Sequence, residues 1–174
     1  SGTLATNSVD SAELIDGAVD AAHLASGVVG DNTPAFEVYM SANMTSITGT
    51  ATKMTFNTES FDTDSAWDTT NYKFTVPSGE GGKYVFFANT YMSGQGGDVG
   101  DYATLHIYKN GSDVGYNYNH IGSHSTSNNL SRILTLVASD YIEFYVSGTG
   151  GSYTVYTSSN LDRTIAYGYK LAGV

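Results

Sequence analysis

The chain contains no cysteine, only 2 Pro among 174 residues, and only 7 Lys and Arg against 17 Asp and Glu. Without cysteine there is no disulfide framework, no thiolate metal centre and no thiol nucleophile. Stability must therefore come from core burial and assembly, as suits a protein folded in a reducing cytoplasm. A net charge of −10 excludes the basic surface that nucleic acid or an anionic membrane requires. The same acidity keeps a multimer soluble. No apolar run approaches the roughly 18 residues of a membrane span, so no membrane insertion is expected, and no secretory signal is visible. Catalytic signatures are missing too: there is no Gly-x-Ser-x-Gly, no His-Glu-x-x-His and no P-loop. Asp62 and Asp64 stand close together, as glycosidase carboxylates do, but no convergent set of acid, base and nucleophile accompanies them. The expectation is a protein that is not an enzyme.

What the chain does have is 20 Gly, 14 Tyr and an abundance of Ser, Thr and Asn in short runs. That composition predicts an all-β domain with many turns. Ala35–Met40 reads as a first strand, and Met44–Thr55 as a short strand pair. Lys73–Val76 and Lys83–Ala88 follow, broken by Pro77 and the glycines at 79, 81 and 82. Tyr102–Tyr108 alternates, with Leu105 and His106 on opposite faces. Asn110-Gly111 is the strongest turn signal and folds that strand onto Asp113–Tyr118. Ile133–Val137 and Tyr141–Val146 read as another pair, and Thr164–Leu171 as the last strand.

Residues 1–31 follow another rule. Val9, Asp10, Ala12, Leu14 and Gly17 return ten positions later as Val19, Asp20, Ala22, Leu24 and Gly27. Apolar residues recur every five positions, at Leu4, Val9, Leu14, Val19, Leu24 and Val29. That period fits neither a helix nor a strand. Asp10 and Asp20 can each cap a helical turn that a glycine ends. One amphipathic helix is the alternative, against which Gly17 and Gly27 count. A short repeat cannot bury its apolar face alone. We therefore expect a stalk, residues 1–31, in which three chains bury this series on a common axis, followed by a head domain, residues 32–174. The decads resemble those of bacteriophage tail fibres and other virion fibres.

The stretch Met54–Phe87 carries a second resemblance. Phe56, Asp62, Trp67 and Phe74 fall at steps of six, five and seven, followed by Gly82, Tyr84 and Phe86. This resembles the signature of the complement globular-head domain and its tumour-necrosis-factor-like relatives, with a longer turn at Ser78–Gly81. Tyr108–Gly111 (YKNG) resembles the family's Lys-Asn-Gly turn. The segment LTLVASDYIEFYV resembles its Leu-x-Leu-x-x-Gly-Asp-x-Val unit, with Ser139 in place of Gly. AYGYKL at Ala166–Leu171 resembles its closing strand. The resemblance covers about residues 35–174 and implies an antiparallel jelly-roll sandwich that works as a homotrimer. Read without the family, these aromatics are plain core residues.

Successive antiparallel strands place Ser93–Asp101, Tyr116–Asn129 and Ser147–Arg163 at one end, opposite the stalk. All three are rich in Tyr, Ser, Gly and Asn, the composition of binding loops. Tyr116, Tyr118, His120, His124, Tyr153 and Tyr156 are the candidate binding residues of such a tip, ordinary solvated turns being the bland alternative. His120 and His124 have nitrogens suited to a metal near a three-fold axis, and Asp98 and Asp101 have oxygens suited to calcium. A solvated or hydrogen-bonded side chain is the ordinary role for each, and no cofactor is expected. These readings converge on a virion-surface fibre head that joins other virion proteins through its N-terminal side. Its tip would bind a host-surface glycan, lipopolysaccharide or protein. The rivals are a capsid or head-fibre decoration knob with a structural role, and a bacterial adhesin head of the same fold.

Overall fold

A computed structural model of the chain describes residues 32–95, 100–121, 125–157 and 164–172. The stalk series Leu4, Val9, Leu14, Val19, Leu24 and Val29 lies outside the described residues, as do Asp98 and His124. Asn32–Ala172 make one compact unit, and its described elements are all strands.

Two antiparallel sheets face each other. The first is organised around the longest strand, β7 (Gly82–Gln95). One edge of β7 carries β10 (Ser125–Leu136) along its length. The other edge is shared by β13 (Ile165–Lys170) over the first half and β12 (Ser152–Tyr156) over the second. Beyond them lie β1 (Ala35–Tyr39) and β4 (Thr58–Asp62) on one side and β2 (Met44–Ile47) on the other. The second sheet runs β5 (Trp67–Asp68), β6 (Lys73–Thr75), β11 (Tyr141–Gly148), β8 (Tyr102–Lys109) and β9 (Ser112–His120), with β3 (Thr52–Lys53) also on β11.

Period-two alternation explains why these segments sit as they do. Along β7, Tyr84, Phe86, Ala88, Thr90 and Met92 point inward and are buried, while Val85, Phe87, Asn89 and Tyr91 point outward. The core is an aromatic stack. Phe36 lies 4.9 Å from Trp67 and 5.1 Å from Phe74, and Phe56 meets Phe144 edge-on at 5.8 Å. Offset and edge-on pairs of this kind add to the area they bury. Asp62 stands outside the stack but fixes its centre: its Oδ2 accepts the Trp67 N–H at 2.8 Å. The Trp67 indole N–H in turn donates to the Phe56 carbonyl at 3.0 Å. The Phe56, Asp62, Trp67 spacing thus places an indole and satisfies its one donor. Gly168 is required by close approach, because a Cβ there would stand 2.6 Å from the Phe86 ring and 2.9 Å from the Phe36 ring.

At one end, Asn110 and Gly111 both take positive φ, 51° and 78°, as the two-residue hairpin between β8 and β9 demands. Asp140 ties that hairpin to the β10–β11 turn. Its carboxylate accepts the Val137 N–H at 2.9 Å and the Asn110 side-chain amide at 2.7 Å, and pairs with Lys109 at 2.9 Å. Lys109 first, then these two donors, hold the Asp140 carboxyl down at about 2. Ser139, where the related signature has Gly, takes φ 71°.

Several sequence expectations are corrected. The Met44–Thr55 strands do not pair with each other: β2 joins β12 in the first sheet and β3 joins β11 in the second. Likewise β10 pairs β7 and β11 pairs β8, so the turn between β10 and β11 crosses from sheet to sheet. A short turn can close a hairpin or bridge two layers, and composition does not separate the two. Strand enters each of the three segments read as tip loops, most fully Tyr116–Asn129, while residues 96–99, 122–124 and 158–163 lie outside the described residues. β7 runs on to Gln95, β9 spans Ser112–His120, β10 begins at Ser125 and β12 spans Ser152–Tyr156. The signal was masked because the inward positions of late β9 are Asn rather than apolar. The Asn117 and Asn119 amides donate to the Asn129 and Ser127 carbonyls of β10, at 2.9 and 2.7 Å. These bonds close the sandwich along that edge with polar groups.

Candidate functional site

The outward face of the second sheet carries a belt of rings. On β8 the outward positions are Tyr102, Thr104, His106 and Tyr108. Across the ladder they meet His120, Tyr118, Tyr116 and Asp113 of β9. On the other side Thr104, His106 and Tyr108 meet Ser147, Tyr145 and Glu143 of β11. Tyr102 and Tyr118 are edge-to-face at 5.1 Å, Tyr118 stacks with Tyr116 at 6.3 Å, and Tyr108 lies 4.2 Å from Tyr145. Tyr116 and Tyr118 are 61% and 54% exposed, unusual for large rings in mid-strand.

His106 is the best-anchored polar group of this face. Its Nδ1 lies 2.8 Å from Asp113 Oδ2 and its Nε2 lies 3.2 Å from Ser147 Oγ. A carboxylate only accepts, so Nδ1 carries the proton. The order acid, imidazole, hydroxyl is that of a nucleophilic triad. However, the Ser147 side is buried, and the N–H groups that follow it are engaged, Gly148 with the Thr48 carbonyl and Thr149 with the Tyr102 carbonyl. Among the described residues no oxyanion donor is presented beside it. The network holds an imidazole upright between Tyr108 and Tyr116. Further along, Glu143 pairs with Lys53, and burial followed by the Glu143 carboxylate pushes the Tyr145 phenol up.

The candidate tip residues separate. Tyr116, Tyr118 and His120 share the β9 outward face. Tyr153 is core: it is 1% exposed and its hydroxyl donates to the Thr149 carbonyl at 2.7 Å. It is withdrawn as a binding residue, since its parity on β12 turns it inward. Tyr156 lies on the outward face of the other sheet, against Tyr91 at 6.0 Å. His120 Nε2 accepts the Gly100 N–H at 3.2 Å, and Asp101 is buried against Gly150. Among the described residues no group of three or more His, Cys, Asp or Glu is placed to hold a metal. Tyr102, His106, Asp113 and Ser147 went unnoticed in the sequence, although the alternation of Tyr102–Tyr108 already placed Tyr102, His106 and Tyr108 on one face.

The outward face of the first sheet differs. One row across β4, β1, β13, β7 and β10 reads Phe61, Glu37, Tyr167, Phe87, Ser131, and the next across β1, β13, β7 and β10 reads Ala35, Tyr169, Val85, Ile133. Phe87 stacks on Tyr167 at 4.8 Å, and Ile133 is 64% exposed. A depression of about 470 Å³ lined by Val85, Ser131, Arg132 and Ile133 marks this face.

No protein-family model matches the chain, and none of the curated proteins matches it. Solved structures do. The globular domain of zebrafish complement 1qA is 17% identical, with a TM-score of 0.54 over 80% of this chain and 98% of that one. Two crystal structures of murine APRIL, at pH 8.5 and 8.0, are 12% and 11% identical with TM-scores of 0.57 and 0.59. Each covers 79% of this chain and 98% of its own. The two-sheet architecture of this chain is the complement-head and tumour-necrosis-factor-like jelly roll.

Proposed function

We propose that this chain is the head of a homotrimeric virion fibre, the receptor-binding tip of a bacteriophage-type tail fibre that takes a host-surface glycan or lipopolysaccharide. It acts by binding and carries out no reaction. The observation that carries this reading is that both sheets display rings outward, of different kinds. The first sheet's rows of Val85, Phe87, Ile133 and Tyr167 are what an interface core contains, and a second copy of the same surface is the simplest cover for them. The decads at residues 1–31 supply a second apolar series that calls for three chains. The second sheet's Tyr, His, Thr and Ser are what a recognition surface contains. The N-terminal side then joins other virion proteins, and the heads stand on the particle's surface.

The test is cell binding by the fluorescently labelled full chain across a panel of bacterial strains, with the Tyr116→Ala/Tyr118→Ala variant beside it. The reading expects at least one strain to be bound, with loss of at least tenfold in the variant and an unchanged melting temperature. Binding that survives both truncations contradicts it.

A further inference from the structure

Where β8 begins, β9 ends and the β11–β12 turn passes, the second sheet's outer face holds a groove of about 310 Å³ lined by Tyr102, Thr104, Tyr118 and Thr149. It lies at the end opposite to where β1 starts and β13 finishes, since those termini sit beside the start of β7 (Ala35↔Tyr169, Lys170↔Tyr84). The volume is at the small end of the range for small-molecule sites, about 300–1,000 Å³. That leaves room for a sugar ring or two and not for a folded partner.

The lining has three properties that together select a ligand. Tyr102 and Tyr118 meet at an interplanar angle of 89°, so one offers a ring face where the other offers an edge. A ring face is electron-rich and attracts the slightly positive C–H groups of a pyranose. Next, every lining residue carries a hydroxyl and none carries a formal charge. Thr149 is already oriented, its Oγ1 accepting the Tyr102 N–H at 2.8 Å. Lastly, among the described residues the Lys side chains of this face are elsewhere: Lys53 is paired with Glu143, and Lys73 sits over the Tyr141 ring at 4.9 Å. With 7 Lys and Arg against 17 Asp and Glu in the chain, no described Lys or Arg at the groove draws in a sulfate, phosphate or sialate. A purely apolar ligand would strip water from the hydroxyls without replacing their hydrogen bonds. The platform also continues, because Tyr116 stacks on from Tyr118 at 6.3 Å.

We infer that this groove is a subsite for an uncharged pyranose of an oligosaccharide, stacked on Tyr118 with its hydroxyls at Thr104 and Thr149, and that Tyr116 takes the neighbouring ring. The inference rests on the reading of the head as a binding module and narrows its ligand to neutral sugar, against the anionic groups of lipopolysaccharide. Tyr118 would be a contact residue, and His106 would position Tyr116 through its fixed imidazole.

The experiment is a glycan microarray carrying neutral and anionic oligosaccharides, probed with the full chain and with Tyr118→Ala, Tyr118→Phe and Thr104→Val. The expected result is retention on neutral glycans, reduced at least tenfold by Tyr118→Ala, kept within about twofold by Tyr118→Phe and weakened several-fold by Thr104→Val. Melting curves of the four proteins check that each is folded. Retention on anionic glycans alone overturns the inference, as does neutral binding that Tyr118→Ala leaves intact, or no binding to any sugar. Any of these results combined with cell binding that needs Tyr116 and Tyr118 sinks the sugar subsite and leaves the binding head standing.

Discussion

The two sheets bury the same kind of residue and display different kinds outward. On the first, the outward rows of β1, β13 and β7 include Phe87, Tyr167, Tyr169, Val85 and Ile165, with Glu37 and Asn89 among them. On the second, the outward rows of β8, β9 and β11 are rich in Tyr and His among Thr, Ser and carboxylates, with His106 held by Asp113 and Ser147 and Tyr145 by Glu143. Alternation alone dictates that every second residue faces out and is silent on what that residue does there. The difference lies in hydrogen-bonding capacity. A face of aliphatic and stacked aromatic groups gains most when water leaves altogether. A face of hydroxyls and imidazoles keeps its value when a polar ligand replaces water.

The largest effect should come from breaking what both faces share. Trp67→Ala removes the centre of the stack and leaves the Phe56 carbonyl without its indole donor. It should cost about 3–5 kcal/mol, read by urea denaturation, and abolish both assembly and binding. Next, Tyr167→Asp puts a carboxylate beside Glu37 and Phe87 on the first face. In a chain starting at Asn32 it should separate the protomers while the second face keeps its ligand, as read by light scattering and cell binding. Tyr116→Ala/Tyr118→Ala makes the converse cut, losing binding with stability changed by only about 0.5 kcal/mol, as is usual for surface changes.

Smaller effects belong to the turn end, which both faces should ignore. The Asp140 carboxyl is held below its unfolded value, so its contribution is present above about pH 4 and lost as pH falls towards about 2. Asp140→Asn should cost about 1 kcal/mol at neutral pH and flatten the stability profile over that acid window. Ser139→Gly should change least, a gain of roughly 0.5 kcal/mol, because glycine takes φ 71° without the cost that serine bears but loses more freedom on folding.

The fold was legible where residues had one role. Phe56, Asp62, Trp67 and Phe74 place an indole and its partners, and that constraint survives as a spacing. Asn110-Gly111 named its turn because a two-residue hairpin demands positive φ twice. The candidate binding residues were legible by type and in part misplaced by element. Tyr116 and Tyr118 fell both in the expected strand Asp113–Tyr118 and in the expected loop Tyr116–Asn129, and His120 in the loop alone; Asn117 and Asn119 interrupt the apolar parity there, and only the β10 carbonyls they reach explain them. Tyr153 was taken for a tip residue because its neighbours are Ser, Thr and Gly; its burial depends on parity along β12, which a short strand hides. The pairing of His106 with Ser147 joins residues 41 apart in the sequence, and no local pattern announces it.

The proposed homotrimer makes the first sheet's outer face a self-assembly surface. The decisive experiment is the light-scattering mass of a chain starting at Asn32, with and without Tyr167→Asp. The expected masses are three protomers for the parent and a single protomer for the variant. A parent chain that is monomeric, or a trimer that Tyr167→Asp leaves intact, would contradict that assembly.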